Sequence, residues 1–79
     1  MKIKIKYFAN LREQSQKNKE ELLSDFKNPS ELYLFLKEKY HFSLSEKEIK
    51  VAINGEYQDF QTELKEGDVI TFIPPVAGG

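Results

Sequence analysis

Asn28-Pro29-Ser30-Glu31-Leu32-Tyr33-Leu34-Phe35-Leu36-Lys37-Glu38-Lys39-Tyr40 is the stretch around which this chain is organised. Asn28 is a residue type that caps helices by accepting a backbone N–H, and Pro29 suits the first helical position because its missing N–H is not needed there. Glu31 stands three residues after the cap, as in a capping box. Leu32, Phe35 and Leu36 then recur at i, i+3 and i+4 with Tyr40 at i+8, one apolar stripe. The spacing predicts a helix ending near Tyr40 and lying across a sheet.

The sheet is legible on both sides of that helix. Upstream, Lys2 to Phe8 alternates with period two, putting Ile3, Ile5 and Tyr7 on one face and Lys2, Lys4, Lys6 and Phe8 on the other. A short helix from Asn10 to Gln16, a polar turn through Lys17-Asn18-Lys19 and a weakly patterned strand from Glu20 to Phe26 complete the first half. Downstream, Ile49, Val51 and Ile53 alternate into Asn54-Gly55, the dipeptide suited to a type I′ hairpin turn whose two central residues need positive φ. Lys65-Glu66-Gly67-Asp68 makes a further turn and Val69 to Ile73 a last strand; Pro74-Pro75 cannot extend a ladder. The order is strand, helix, strand, helix, strand, strand, strand. It closes most simply as an α+β roll of the ubiquitin type, one mixed sheet with the long helix across one face. Residues 1–73 form the domain and residues 74–79 an extended, flexible tail.

At 79 residues this is one small domain, burying about 60% of its unfolded surface, with little room for an enclosed substrate pocket. The absence of cysteine excludes disulfides, thiolate metal sites and cysteine nucleophiles. Twelve Lys+Arg against 13 Asp+Glu leaves a formal net charge of -1, against the basic excess of a nucleic-acid binder. Met1-Lys2-Ile3-Lys4-Ile5-Lys6 interrupts every apolar run with charge, so neither a signal peptide nor a membrane span is read there, and a cytoplasmic location is expected.

Candidate chemistry inside the domain is sparse. His41, the single histidine, lacks a nearby nucleophile and orienting carboxylate, and is read as a helix-end surface residue. Acidic residues in charge-mixed stretches such as Ser45-Glu46-Lys47-Glu48 give no metal-ligand spacing, so no metal is expected. The Lys2, Lys4, Lys6 stripe reads first as a solvent face protecting the sheet, with contact to an acidic patch on a partner as the alternative. Three apolar residues fit a solvent face less well. Phe8 lies on the lysine side of the first strand. Pairing of Ile53 with Glu56 across the hairpin places Tyr57 opposite Ala52, off the face of Val51 and Ile53. Ile73 lies off the face of Ile70 and Phe72. Phe8, Tyr57 and Ile73 are therefore expected to form an exposed apolar patch beside the tail.

The chain closes on Ile73-Pro74-Pro75-Val76-Ala77-Gly78-Gly79. With glycine usage near 7%, a terminal glycine pair is expected by chance in about half a per cent of chains. Diglycine contributes little to packing but is slim enough to thread a tunnel and present a carboxylate to another enzyme. Phe72-Ile73-Pro74-Pro75-Val76-Ala77-Gly78-Gly79 resembles the ending of the small, sulfur-carrying subunits of molybdopterin synthase (the MoaD family). Tyr7-Phe8-Ala9-Asn10-Leu11-Arg12-Glu13, Val51-Ala52-Ile53-Asn54-Gly55 and Leu64-Lys65-Glu66-Gly67-Asp68 match that family in order and spacing.

The resemblance implies a ubiquitin-like β-grasp fold and a carrier function in molybdenum cofactor biosynthesis. In such a carrier a MoeB-like adenylating enzyme uses ATP and Mg to activate Gly79, and a sulfur donor converts it to a thiocarboxylate. The sulfur passes to cyclic pyranopterin monophosphate in a MoaE-like large subunit, within a heterotetramer, building the molybdopterin dithiolene. This implies a non-catalytic donor subunit that itself binds no cofactor. It assigns sulfur carriage to Gly79, passage through a constriction to Gly78, a stiff tail base to Pro74 and Pro75, and partner contact to Phe8, Tyr57, Ile73, Val76 and Ala77. Arg12 matches a family arginine, open between partner contact and an ion pair with Glu13. Carriers for thiamine thiazole or tRNA thiolation, and protein-conjugating modifiers, share the fold and tail and stand as alternatives.

Overall fold

Residues 1–75 are described by a computed structural model. Strand β1 (Lys2–Tyr7) leads into a short helix α1 (Ala9–Ser15) and strand β2 (Lys19–Leu23). The long helix α2 (Pro29–Tyr40) follows, then a single 3-10 turn (Glu46–Glu48) and strands β3 (Lys50–Ile53), β4 (Glu56–Gln58) and β5 (Val69–Ile73). The strands form one sheet in the order β2-β1-β5-β3-β4. β1 and β5 are parallel, with Tyr7 level with Phe72, and every other pairing is antiparallel. This is the mixed β-grasp sheet that the element order implied.

Local chemistry sets the elements as read. Asn28 Oδ1 accepts the Glu31 N–H at 2.9 Å, with Pro29 directly inside the helix. The Glu31 carboxylate does not close the box on Asn28; it accepts from the Lys27 N–H at 3.0 Å, one residue further out. Asn54 and Gly55 take φ of 53° and 87°, the positive pair a type I′ turn requires. Ile53 opposes Glu56 and Ala52 opposes Tyr57, as the two-residue loop dictates. Asn54 Nδ2 donates to Asp68 Oδ1 at 2.9 Å, tying the hairpin to the turn that precedes β5.

The core lies between α2 and one sheet face. Ile3, Ile5 and Tyr7 of β1, Val51 and Ile53 of β3, and Ile70 and Phe72 of β5 meet Leu32, Tyr33 and Leu36 of α2. Tyr33 is its centre. Its ring lies 5.1 Å from that of Phe72 and 5.8 Å from that of Phe42, and its hydroxyl donates to the Leu44 carbonyl at 2.8 Å.

Three expectations are corrected. The buried stripe of α2 is Pro29, Leu32, Tyr33 and Leu36, while Phe35 is 42% exposed and leans on Phe26 with ring centroids 5.2 Å apart. Periodicity allowed either flank of Leu32 and Leu36; the sheet lies on the Tyr33 side, where the hydroxyl finds an acceptor. β1 stops at Tyr7, with Phe8 as the cap residue of α1, which itself runs Ala9–Ser15. β2 ends at Leu23 because Phe26 leaves the ladder to pack beside α2. Ser45-Glu46-Lys47-Glu48 is largely exposed, as its reading as solvated surface expected, and is shaped into the 3-10 turn with Glu48 Oε2 accepting from the Ser45 N–H at 2.7 Å.

Candidate docking face

Alternation leaves the second face of the sheet uncovered by α2. Lys2, Lys4 and Lys6 of β1, Val69, Thr71 and Ile73 of β5, Lys50 of β3 and Tyr57 of β4 emerge there. At the end of β5 the surface dips into a depression of about 310 Å³ lined by Glu48, Lys50, Tyr57, Ile73, Pro74 and Pro75. Lys50 is level with Ile73 across the β3–β5 ladder, and its ammonium lies 5.8 Å from the centre of the Tyr57 ring. Tyr57 is 70% exposed, Ile73 half-buried, Pro74 buried and Pro75 exposed.

Phe8 extends the patch on the other side. The parallel register of Tyr7 with Phe72 carries Phe8 alongside Ile73, and Phe8 is 47% exposed. Its carbonyl accepts from the Leu11 and Arg12 N–H groups at 3.1 and 3.3 Å, satisfying the start of α1. Ala9 then takes φ of 49°, left-handed backbone that costs roughly 1–2 kcal/mol for a residue with a Cβ. That strained corner turns the chain out of the sheet with Phe8 still on its open face. Arg12 follows one helical turn later; its Nη1 donates to Asn18 Oδ1 at 3.5 Å, and among the described residues it makes no ion pair with Glu13.

The structure thus brings Tyr57, Ile73, Pro74 and Pro75 around one depression at the end of the open face. Phe8 falls outside its lining, following Tyr7 in the register that sets β1 beside β5, and the Arg12 side chain turns to Asn18. Val76, Ala77, Gly78 and Gly79 lie outside the described residues. Sequence reading missed Leu34, 59% exposed on the outer side of α2, and Leu23, 80% exposed on β2. Both were visible as apolar residues off the predicted buried pattern. It also missed the support beneath the face. Glu20 Oε2 accepts from the Tyr7 hydroxyl at 2.5 Å and the Tyr40 hydroxyl at 2.7 Å, and Lys17 Nζ lies 3.4 Å from Glu20 Oε1. Burial alone would raise the Glu20 carboxyl, but the two tyrosine hydroxyls and Lys17 outweigh it and hold it below its ordinary value. Burial, then the hydrogen bond to Glu20, pushes the Tyr7 hydroxyl far up, so it stays a donor.

His41 is the exposed C-cap of α2, at φ 59°. Among the described residues no group of three His, Cys, Asp or Glu side chains is placed to hold a metal ion, and no helix is long and apolar enough to cross a membrane. An apolar patch around a shallow depression, beside the residues that lead into the chain end, is suited to docking on another protein.

A β-grasp domain of the ubiquitin type with an open apolar sheet face is the class that these features define. A model of the ThiS family matches residues 5–79, and the chain belongs to that family. It is 29% identical over 80 residues to the molybdopterin synthase sulfur carrier subunit of Escherichia coli (strain K12), covering 98% of this chain and 99% of that protein. The small archaeal modifier protein 1 of Methanosarcina acetivorans superposes with a TM-score of 0.77 at 30% identity, covering 99% of this chain and 96% of that one. A chain from the complex of subunits 1 and 2 of the molybdopterin-converting factor of Helicobacter pylori 26695 superposes with a TM-score of 0.70 at 28% identity over 100% of both chains. The resemblance to molybdopterin synthase small subunits read from the motifs therefore extends over the full length.

Proposed function

We propose that this chain is the sulfur-carrying small subunit of a molybdopterin synthase, with Gly79 as the carrying residue. The observation that carries the reading is the gathering of Tyr57, Ile73, Pro74 and Pro75 around one depression where β5 hands over to Val76-Ala77-Gly78-Gly79, with Phe8 alongside. A docking patch at the base of a diglycine end is what a carrier needs. The patch holds the partner while the slim end reaches the partner's active site. Full-length similarity to the Escherichia coli carrier and to a chain of the two-subunit Helicobacter pylori complex supports this assignment.

The chemistry follows from the acyl group. A carboxylate is a poor acyl donor because oxide would have to leave. A MoeB-like partner resolves this with ATP and Mg: the Gly79 carboxylate takes the adenylyl group, pyrophosphate departs, and AMP becomes the leaving group. A sulfide-level sulfur from the donor attacks the acyl carbon, AMP leaves, and a thiocarboxylate remains. In the MoaE-like large subunit its sulfur forms a C–S bond to a carbon of cyclic pyranopterin monophosphate as a C–O bond at that carbon breaks and its oxygen departs. Water then cleaves the acyl C–S bond of the resulting thioester, leaving sulfur on the pterin and returning the Gly79 carboxylate. Two carriers per pterin build the dithiolene, consistent with a heterotetramer of two small and two large subunits. Gly78 lets the peptide pass where a Cβ would clash, and Pro74-Pro75 limit the entropy lost on insertion. The carrier itself supplies no acid, base or cofactor, and its partners make a cytoplasmic setting the expected one.

A second reading, a protein-conjugating modifier, is favoured by the 30% identity to the archaeal modifier. One experiment separates them. The full chain is incubated with a MoeB-type enzyme, ATP and a sulfide source, and its intact mass is measured. Replacement of one oxygen by sulfur at Gly79 supports the carrier reading. No shift with an active enzyme, together with high-mass lysine-linked conjugates in lysate, refutes it in favour of the modifier.

A further inference from the structure

The lysine stripe of β1 is exposed, as its reading as a solvent face expected, but its like charges ask for a further reason. Protection of a sheet edge is the usual reason for strand lysines. The edges here are β2 and β4, whereas β1 lies between β2 and β5 with both sides hydrogen-bonded. The register treats the lysines unequally: Lys4 stands opposite Glu21, an unlike pair. Lys6 stands directly opposite Lys19 across the antiparallel β1–β2 ladder, and like charges so placed repel. Lys2 has a partner, Glu21, at 3.7 Å, but among the described residues Lys4, Lys6 and Lys19 make no ion pair. The Glu20 side chain, opposite Ile5, turns to the other face of the sheet, where Tyr7, Tyr40 and Lys17 take up its carboxylate. Lys4, Lys6 and Lys19 line this groove of about 450 Å³ together with Val69. It runs along the open face toward Phe8 and Ile73, in a chain whose formal net charge is -1.

We infer that the Lys4–Lys6–Lys19 groove receives a carboxylate-rich strip of the large synthase subunit and steers that subunit onto the apolar patch. The inference rests on the carrier reading above. Charge complementarity selects the occupant. Lys6 and Lys19 face each other without a carboxylate between them, and Lys4 shares Glu21 with Lys2. This excess of ammonium groups attracts anions, while the contiguous patch asks for a partner with both acidic and apolar surface. A nucleic acid fits less well, because the chain as a whole has a formal net charge of -1 and lacks the basic excess such binding draws on. Exposed lysines act chiefly over distance, so their contribution lies in the association rate, while the apolar patch governs dissociation.

The test is stopped-flow association of the full chain with the large subunit from ~10 mM to ~1 M salt, a range over which the Debye length falls from about 30 to about 3 Å. A Lys4→Glu/Lys6→Glu double variant should associate about tenfold more slowly at low salt, converge with wild type at high salt, and dissociate at an unchanged rate. Lys19→Glu serves as the folding control, because it replaces a repulsive pair with an attractive one. It should raise Tm by about 1–4 °C and still slow association at low salt. Association rates and salt slopes equal to wild type in both variants overturn the steering role while leaving the carrier reading intact. No binding of wild type to the large subunit, together with no sulfur loading of Gly79, overturns both. Binding of wild type to a short single-stranded oligonucleotide, lost in the double variant, reassigns the groove and overturns the inference.

Discussion

Replacing Tyr57 with alanine is the most direct trial of the docking face. Tyr57 is 70% exposed on an edge strand. Aromatic side chains bury about 150–250 Å² when fully covered, so on the order of 100–170 Å² of Tyr57 remains for a partner to cover. At ~25 cal/mol per Å², and allowing for incomplete coverage, its removal is worth about 1.5–3 kcal/mol of binding, or roughly 10–150-fold in affinity. The free domain should barely notice. The ring loses only its cross-strand neighbour Ala52 and the Lys50 ammonium, interactions of about 1 kcal/mol or less at an exposed site. Calorimetric titration of the large subunit with wild type and with Tyr57→Ala, beside thermal melts of each, measures both quantities. A folded variant that binds within twofold of wild type refutes the reasoning, since the most exposed aromatic of the patch would then lie outside the interface.

Glu20→Ala should lower stability by about 1–3 kcal/mol, or several degrees in Tm, because the Tyr7 hydroxyl keeps its buried position without an acceptor. Glu20 is held below its ordinary value in the folded state, so its contribution is present above the unfolded carboxyl value of about 4.3 and is lost as pH falls through the folded one. Urea midpoints of Glu20→Ala should accordingly fall less steeply than those of wild type in that acid window, and parallel curves would contradict the assignment. Gly55→Ala isolates backbone strain: an added Cβ meets nothing within 4 Å, yet φ is 87°, so a loss of about 1 kcal/mol is expected, and an unchanged midpoint would argue against the type I′ turn. Appending one alanine after Gly79 should abolish sulfur loading in the mass assay at unchanged Tm; retained loading would exclude the C-terminal carboxylate as the carrying group.

Most of the architecture was legible because its signals are local. Alternation in Lys2–Tyr7, the Asn28-Pro29 cap and the Asn54-Gly55 turn each depend on residues within a few positions of one another, where φ preferences and side-chain period act. The apolar end of the docking face was legible for the same reason: one-residue parity along a strand decides which face Tyr57 and Ile73 occupy. The reading proposed for the chain end rests on residue type alone, in Pro74-Pro75 and Gly78-Gly79.

Other features depended on which strands become neighbours. Parity could place Lys2, Lys4 and Lys6 on a solvent face but could not say that β1 would lie inside the sheet; only its pairing with both β2 and β5 does so. Periodicity could not choose between Tyr33 and Phe35, since both flank Leu32 and Leu36; the choice fell to the side where Phe72, Phe42 and the Leu44 carbonyl meet the ring and its hydroxyl. Nor did anything near Glu20 announce that residues 13 positions before it and 20 after it would satisfy its carboxylate. Short-range sterics and patterning specify the strands, turns and helix, whereas burial and charge pairing come from contacts between segments far apart in the chain, which exist only once the sheet has closed.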